Sequence, residues 1–263
     1  MHQLAISGAA GRMGARLIDL ATANEQFQVV CAVDSSQHPD LGTDCGLLAG
    51  IGNINVPLQG RFDGNNDVVI DFSTPAGADA AIEYCLSSKT PLVMATTGLE
   101  PETLDKLDRA AAEVPVVFAP SMSLAVNLSM KLVEMAGNSL KDHSTGVDVE
   151  IIERHHRYKA DAPSGTALKF GQIIAQVMGQ TEHCHGREGM TGQRGRNEIG
   201  YHAVRTGDNP GEHTIVFGML GETIELKVSA SNRDCYAAGA LAAAAFVVGQ
   251  SPGMYSMFDV LGF

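Results

Sequence analysis

The sequence predicts an α/β protein of two domains: a doubly wound parallel-sheet domain and a second α+β domain with a mixed or antiparallel sheet. Three observations carry that expectation. From Leu4 to Ala119, short apolar strands alternate with amphipathic helices, the pattern of a parallel sheet covered on both faces. From Ile199 to Ser229, three strand-like runs follow one another without a helix between them. The Ala-rich stretch from Asp234 to Gly249 then reads as a helix with so little bulk that it must pack closely, and it is expected to return to the first domain. The expected domains are residues 1–126 with 235–263, and residues 127–234.

The first strand, Leu4–Ile6, runs directly into Gly8-Ala9-Ala10-Gly11-Arg12-Met13-Gly14, and a helix follows with Met13, Leu17, Leu20 and Ala21 on one face. Strand, glycine turn and helix together form the setting of a dinucleotide-binding loop. Glycine permits the tight turn, bare backbone approaches a pyrophosphate, and the helix start offers free N–H groups. The spacing is GxxGxxG. A second strand, Gln28–Val33, ends at Asp34, twenty residues past Gly14, where an acid accepts hydrogen bonds from the adenosine ribose. These features make the first domain Rossmann-like. Asp34 is followed by Ser35-Ser36. A carboxylate there repels a ribose 2′-phosphate and favours NADH, while Arg12 in the glycine loop offers a cation that could still meet one. NADH and NADPH both stay open.

Residues 39–64 have weak periodicity and read as irregular. Asp67–Phe72 is a buried-type strand ending at Ser73-Thr74-Pro75, and Ala76–Leu86 reads as a helix. Pro91–Ala95 is a strand closing on Thr96-Thr97-Gly98, Pro101–Glu113 a helix, and Val114–Ala119 a strand ending at Pro120-Ser121-Met122-Ser123. In such sheets ligands sit beyond the carboxyl ends of the strands. Those ends, Gly8–Gly14, Asp34, Phe72–Pro75, Ala95–Gly98 and Ala119–Met122, are expected to line the cofactor.

In the second half, Leu124–Leu140 reads as one helix with Leu124, Leu128, Leu132 and Met135 on a face, and Val147–Glu153 alternates as a strand with one polar face. A helix follows from about Ser164 to Met178, with Pro163 suited to its first turn and Ser164 to its cap. Residues 180–197 read as a long loop. Ile199–Arg205, His213–Met219 and Thr223–Ser229 read as strands, the last two joined by a hairpin at Leu220-Gly221-Glu222.

Between strand and helix lies Glu153-Arg-His-His-Arg-Tyr-Lys-Ala-Asp-Ala-Pro-Ser-Gly-Thr-Ala167, with Arg154, Arg157 and Lys159 cationic and two histidines beside them. The chain carries 18 Lys plus Arg against 30 Asp plus Glu, a formal charge of -12, so a cationic knot there reads as a place to meet an anion. A metal site would want three ligands, and the adjacent His155 and His156 point to opposite faces of a strand. His183-Cys-His185 is similarly a poor chelate, and no metal is expected. Ser164 has no G-x-S-x-G elbow to make it a nucleophile. What the residue types suit is anion recognition with acid catalysis. Gly165 and Thr166 at a helix start offer N–H groups and a hydroxyl to a carboxylate, Lys159 adds a mobile cation, and a His beside them delivers a proton near neutral pH. With a nicotinamide from the first domain, the combination is the reduction of a polarised double bond in an anionic substrate.

The run Glu153-x-His155-His156-x-x-Lys159-x-Asp161-Ala-Pro-Ser-Gly-Thr-Ala167 resembles the signature of 4-hydroxy-tetrahydrodipicolinate reductase, the dihydrodipicolinate reductase family of the diaminopimelate route to lysine. The resemblance extends to Gly8-x-x-Gly11-Arg-Met-Gly14, Asp71-Phe-Ser-Thr-Pro75, Thr96-Thr-Gly98 and the Asn127 helix. It implies that Gly8, Ala9, Ala10, Gly11, Arg12, Met13, Asp34, Ala95, Thr96, Thr97, Ala119, Pro120, Ser121 and Met122 bind NADH or NADPH. It further implies His155 as proton donor with Lys159 as its catalytic partner, and His156, Gly165 and Thr166 as the holders of a cyclic dicarboxylate's carboxylates. A homotetramer joined through the second domain's sheet is the assembly it implies. Two departures stand out: Ser121 and Met122 occupy places where Asn and Phe are common, and Ser35 one where some members carry an Arg for NADPH. Other readings are a two-domain amino-acid-type dehydrogenase acting on a different substrate, and a nicotinamide-binding sensor without turnover. A sensor needs no proton donor beside a carboxylate cradle.

Other classes fit less well. No run of 18 apolar residues spans a membrane, and no basic and apolar leader marks export, so a cytoplasmic protein is expected. Five scattered cysteines form no CxxC pair and suit reduced thiols. The acidic balance and the absence of Trp argue against nucleic acid as a partner.

Overall fold

A computed structural model describes residues 1–263. The chain divides into two compact units, Met1–Leu124 with Arg233–Phe263, and Ala125–Asn232. The first begins with β1 (His2–Ser7), α1 (Arg12–Thr22), β2 (Phe27–Val33), α2 (Cys45–Ala49), β3 (Leu58–Gln59) and β4 (Val68–Asp71). It continues with α3 (Pro75–Ser88), β5 (Leu92–Met94), α4 (Pro101–Ala111) and β6 (Pro115–Phe118). The second unit holds α5 (Leu124–Leu140, from its second residue), β7 (Asp148–His155), α6 (Gly165–Met178), β8 (Glu182–His185), β9 (Glu198–Arg205), β10 (Glu212–Met219) and β11 (Glu222–Ser229). Then α7 (Asp234–Val247), β12 (Gly253–Tyr255) and α8 (Met257–Val260) rejoin the first unit.

All seven strands of the first sheet are parallel, in the order β12-β6-β5-β4-β1-β2-β3. Their near-continuous Val/Ile/Leu composition suits burial on both faces, and one apolar cluster lies on each side. The strand order reverses between β1 and β4, so the carboxyl ends of those two strands open the crevice in which doubly wound sheets bind ligands. Small residues bring α7 close: Ala237, Ala240, Ala243 and Ala244 are buried, and a Cβ at Gly239 would stand 1.8 Å from the Met122 carbonyl oxygen. Arg16 of α1 donates to Asp234 at 2.5 Å.

The second sheet runs β11-β10-β7-β9-β8 and is mixed: β10 is antiparallel to both neighbours, whereas β7, β9 and β8 are parallel. Val149, Ile151, Ile199, Tyr201, Ile215 and Phe217 are buried, along with Phe170 and Ile174 of α6.

Four expectations need correction. The stretch 39–64 is not wholly irregular. Asp44 caps α2 and accepts N–H groups from Gly46, Leu47, Ile54 and Val56, so one acid organises a helix too short to show periodicity. The 180–197 loop contains β8, an edge strand whose Glu-His-Cys-His, exposed except at half-buried Cys184, carries no apolar alternation. Pro163 precedes the cap rather than occupying the first turn, because Ser164 takes the cap position. In α5 the inward face is Val126, Asn127, Met130, Val133 and Gly137, while Leu128, Leu132 and Met135 are exposed. Gly137 explains the choice: a Cβ there would stand 2.6 Å from Val177 of α6, so the small-residue face allows the closer approach.

Candidate active site

In the first unit, Gly8 turns the chain at the end of β1 with φ +74, and a Cβ there would stand 2.3 Å from the Phe72 carbonyl oxygen. Gly14 is equally constrained, 2.2 Å from the Gly8 carbonyl by the same measure. Gly11 opens α1 without a capping side chain, which leaves first-turn N–H groups for an anion. The Asp34 carboxylate accepts the Ala10 N–H at 3.1 Å and the Ser35 N–H at 2.8 Å, tying the end of β2 to the glycine turn. Beyond these strand ends lies a cavity of about 900 Å³ lined by Gly8, Gly11, Asp34, Phe72, Ser73 and Thr74 among others. Its size and glycine floor fit a dinucleotide.

The remaining predicted cofactor residues divide. Arg12 and Met13 start α1 outside that cavity lining, and Arg12 is exposed. Ala95, Ala119 and Met122 are buried, all three in one apolar cluster. Thr97 and Pro120 are exposed beside them, and Ser121 is half-buried. The Thr96 hydroxyl donates to Asp71 at 2.5 Å and accepts the Ser73 N–H at 2.9 Å. Asp71 also accepts the Ser73 hydroxyl at 2.6 Å, and burial pushes its carboxyl up against the pull of these hydroxyls. It is the internal brace of the crevice wall.

In the second unit, β7 alternates inward and outward, and its inward series is Val149, Ile151, Glu153, His155. The face that begins apolar therefore ends on an acid and a base. Register supplies their partners. His213 on β10 sits opposite Glu153, and Arg205 on β9 opposite His155. Glu153 is 1% exposed and fully bonded. It accepts His155 Nδ1–H at 2.5 Å, the two Arg205 Nη groups at 2.8 and 2.7 Å, and the Ser164 N–H at 3.1 Å. Burial pushes the Glu153 carboxyl up, but the Arg205 fork and His155 outweigh it and hold it below the usual range. With Nδ1 committed, Nε2 is the nitrogen of His155 that remains for chemistry. A Cβ on Gly211 would stand 3.0 Å from that atom, so glycine keeps the approach open. Burial lowers the His155 pKa, opposed by Glu153.

Beside it, Ser164 caps α6: its hydroxyl accepts the Ala167 N–H at 3.2 Å and is hydrogen-bonded to His213 Nε2 at 3.1 Å. Both bonds give Ser164 a structural place. The cap takes the Ala167 N–H and leaves the first-turn N–H groups of Gly165 and Thr166 without a partner in the chain, and a Cβ on Gly165 would meet nothing within 4 Å. Lys159 pairs with Asp161 at 2.7 Å, which fixes a cation that sequence alone leaves mobile. His156 has a buried Nδ1 with no partner in the chain, a polar atom prepared for a ligand. Arg154 pairs with Glu212 at 2.9 Å, away from this group. No group of three or more His, Cys, Asp or Glu side chains is arranged to hold a metal. His183 and His185 instead stack on Tyr201, at 5.6 and 5.0 Å.

His213 makes the site sensitive to acid. It is 4% exposed, and burial, then the charge of His155, lowers its pKa from 6.5 to about 4. Between those values the unfolded chain binds the proton and the folded chain does not, so stability falls as pH drops through that window. The loss is on the order of 3 kcal/mol. Thermal melts should show Tm falling from about pH 7 to about pH 4, and His213→Gln should flatten that fall. An equally steep fall in the variant would assign the effect elsewhere.

The strand order, the glycine turn and the separate mixed sheet define a two-unit α/β protein of the dinucleotide-binding class. Models of the dihydrodipicolinate reductase N-terminus and C-terminus match residues 2–122 and 125–261, and the chain belongs to that family. A 4-hydroxy-tetrahydrodipicolinate reductase of Rhodopirellula baltica is 58% identical, covering 98% of this chain and 95% of its own. One from Alkalilimnicola ehrlichii is 46% identical over 99% and 98%. A dipicolinate-bound dihydrodipicolinate reductase from Paenisporosarcina sp. TG-14 superposes with a TM-score of 0.78 at 27% identity, covering 97% of each chain.

Proposed function

We propose that this protein is a nicotinamide-dependent 4-hydroxy-tetrahydrodipicolinate reductase. It forms tetrahydrodipicolinate with loss of water, in the diaminopimelate route of lysine biosynthesis. The observation that carries the reading is the His155–Glu153–Arg205 arrangement beside the open start of α6. It joins a proton donor of fixed tautomer to an anion cradle. Full-length relatives bearing that activity support the same reading.

A bound nicotinamide supplies the hydride. The strand-end loops at Gly8–Met13, Asp34, Ala95–Thr97 and Ala119–Met122 hold it, several of them through backbone because their side chains are buried. Glu153 keeps the proton of His155 Nδ1 in place, so that Nε2 carries the proton delivered to the substrate. Lys159, steadied by Asp161, neutralises the dicarboxylate. His156 Nδ1, the Gly165 and Thr166 N–H groups and the Thr166 hydroxyl grip its carboxylates. Both NADH and NADPH are accepted. The protein works in the cytoplasm, without nucleic acid as a partner.

The assembly is a homotetramer built through the second unit. Ile152 and Val204 leave exposed apolar side chains on the outward face of its sheet, and Leu128, Leu132 and Met135 do so on α5. Sedimentation should give four chains per particle, and a monomer at micromolar concentration would contradict this.

The test of function is absorbance loss from NADH or NADPH on adding the product of the preceding synthase. Lys159→Ala should lower kcat/KM by at least about 10²-fold. No loss with either cofactor in the unaltered protein would overturn the reading.

A further inference from the structure

The cavity at the first crevice has an uneven charge lining. Asp34 and Glu83 are its acids, and Arg61 is the only basic residue that lines it. Arg61 arrives from an element with no part in the glycine motif. Val33 of β2 pairs with Gln59 of β3, and the Asp34 N–H donates to the Gln59 carbonyl at 3.0 Å. Gly60 then packs against the turn so tightly that a Cβ would stand 2.8 Å from the Ser36 Cα. Two residues past Gln59, Arg61 is therefore held beside Asp34-Ser35-Ser36, the turn that meets the adenosine ribose in this class of sheet. Its side chain is exposed and makes no hydrogen bond or ion pair within the chain. The Asp34 carboxylate, by contrast, is engaged on both oxygens, by the Ala10 and Ser35 N–H groups.

We propose that Arg61 receives the ribose 2′-phosphate of NADPH, in place of a cation directly following Asp34. Its guanidinium matches a phosphate monoester, and the Ser35 and Ser36 hydroxyls lining the same corner add donors. The two bonds that Asp34 already accepts weaken its repulsion of the added charge. This assignment rests on the nicotinamide-reductase reading and specifies which end of the cofactor is discriminated and by which residue.

Two measurements test it, on the full-length protein. Calorimetric titration should show 2′,5′-ADP binding more tightly than 5′-ADP, and Arg61→Gln should weaken 2′,5′-ADP about tenfold more than 5′-ADP. In turnover, the ratio of KM for NADPH to KM for NADH should rise about tenfold in the same variant, with the preference fading as salt increases. Arg12→Gln is the control for the other nearby cation. Equal loss on both probes in Arg61→Gln, or loss of the 2′-phosphate preference in Arg12→Gln alone, would overturn the assignment while leaving the reductase reading intact. An unaltered protein that binds neither probe and oxidises neither cofactor would sink that reading itself.

Discussion

Replacing His155 with alanine is expected to lower kcat by about 10²- to 10⁴-fold, the usual contribution of a positioned general acid, with cofactor affinity retained. The expectation follows from how few options the ring has. It is 8% exposed, its Nδ1–H is committed to Glu153 at 2.5 Å, and only a glycine, Gly211, could approach Nε2 as closely, since a Cβ there would stand 3.0 Å away. Proton delivery has one exit. Cofactor affinity should persist because the glycine turn and its crevice are built wholly from the first unit. Steady-state kinetics with a separate titration of cofactor binding checks both halves. Full turnover in the variant would make His155 a bystander.

Glu153→Gln is expected to show two separable effects. Glu153 is a buried carboxylate serving a guanidinium fork, an imidazole and a helix-start N–H at once. Making it neutral leaves Arg205 underpaired, which should cost roughly 3–5 kcal/mol of stability. It also removes the negative charge that favours the imidazolium of His155. Activity needs that ring protonated, so the alkaline limb of the kcat profile should move to lower pH by about one unit, and kcat at neutral pH should fall about tenfold or more. The double variant Glu153→Gln with Arg205→Met separates the roles. It should regain part of the lost stability, because no charge is left unpaired, yet keep the displaced profile. A restored profile in the double variant would make Glu153 merely structural.

Several parts of this architecture could be read from residue order, for identifiable reasons. The first unit's strands are short apolar runs between helices, and Gly8–Gly14 with Asp34 carries a turn that few other residues can make. The cationic run from Glu153 to Ala167 stood out against a chain of charge -12. What could not be read is what arrives by pairing between distant strands. Arg205 reaches Glu153 because β9 lies parallel to β7, fifty residues apart, and His213 arrives by the antiparallel register of β10. The inward phase of Glu153 was present in the alternation Val149, Ile151, Glu153, His155, and it is the one signal that could have marked the acid in advance. Arg61 was hidden for a different reason. It lies two residues past a strand of only two residues, and the short acid-capped helix before that strand has no periodicity to detect. In α5, the Leu128–Leu132–Met135 stripe misled because close approach at Gly137 outweighed side-chain size.

The central claim is that the protein reduces the ring of a cyclic dicarboxylate using hydride from nicotinamide. The most direct measurement supplies cofactor deuterated at the transferable C4 position and follows the product by mass spectrometry. The account predicts one deuterium per tetrahydrodipicolinate formed, matched mole for mole by oxidised cofactor. Product without deuterium, or cofactor oxidation without that product, would contradict it.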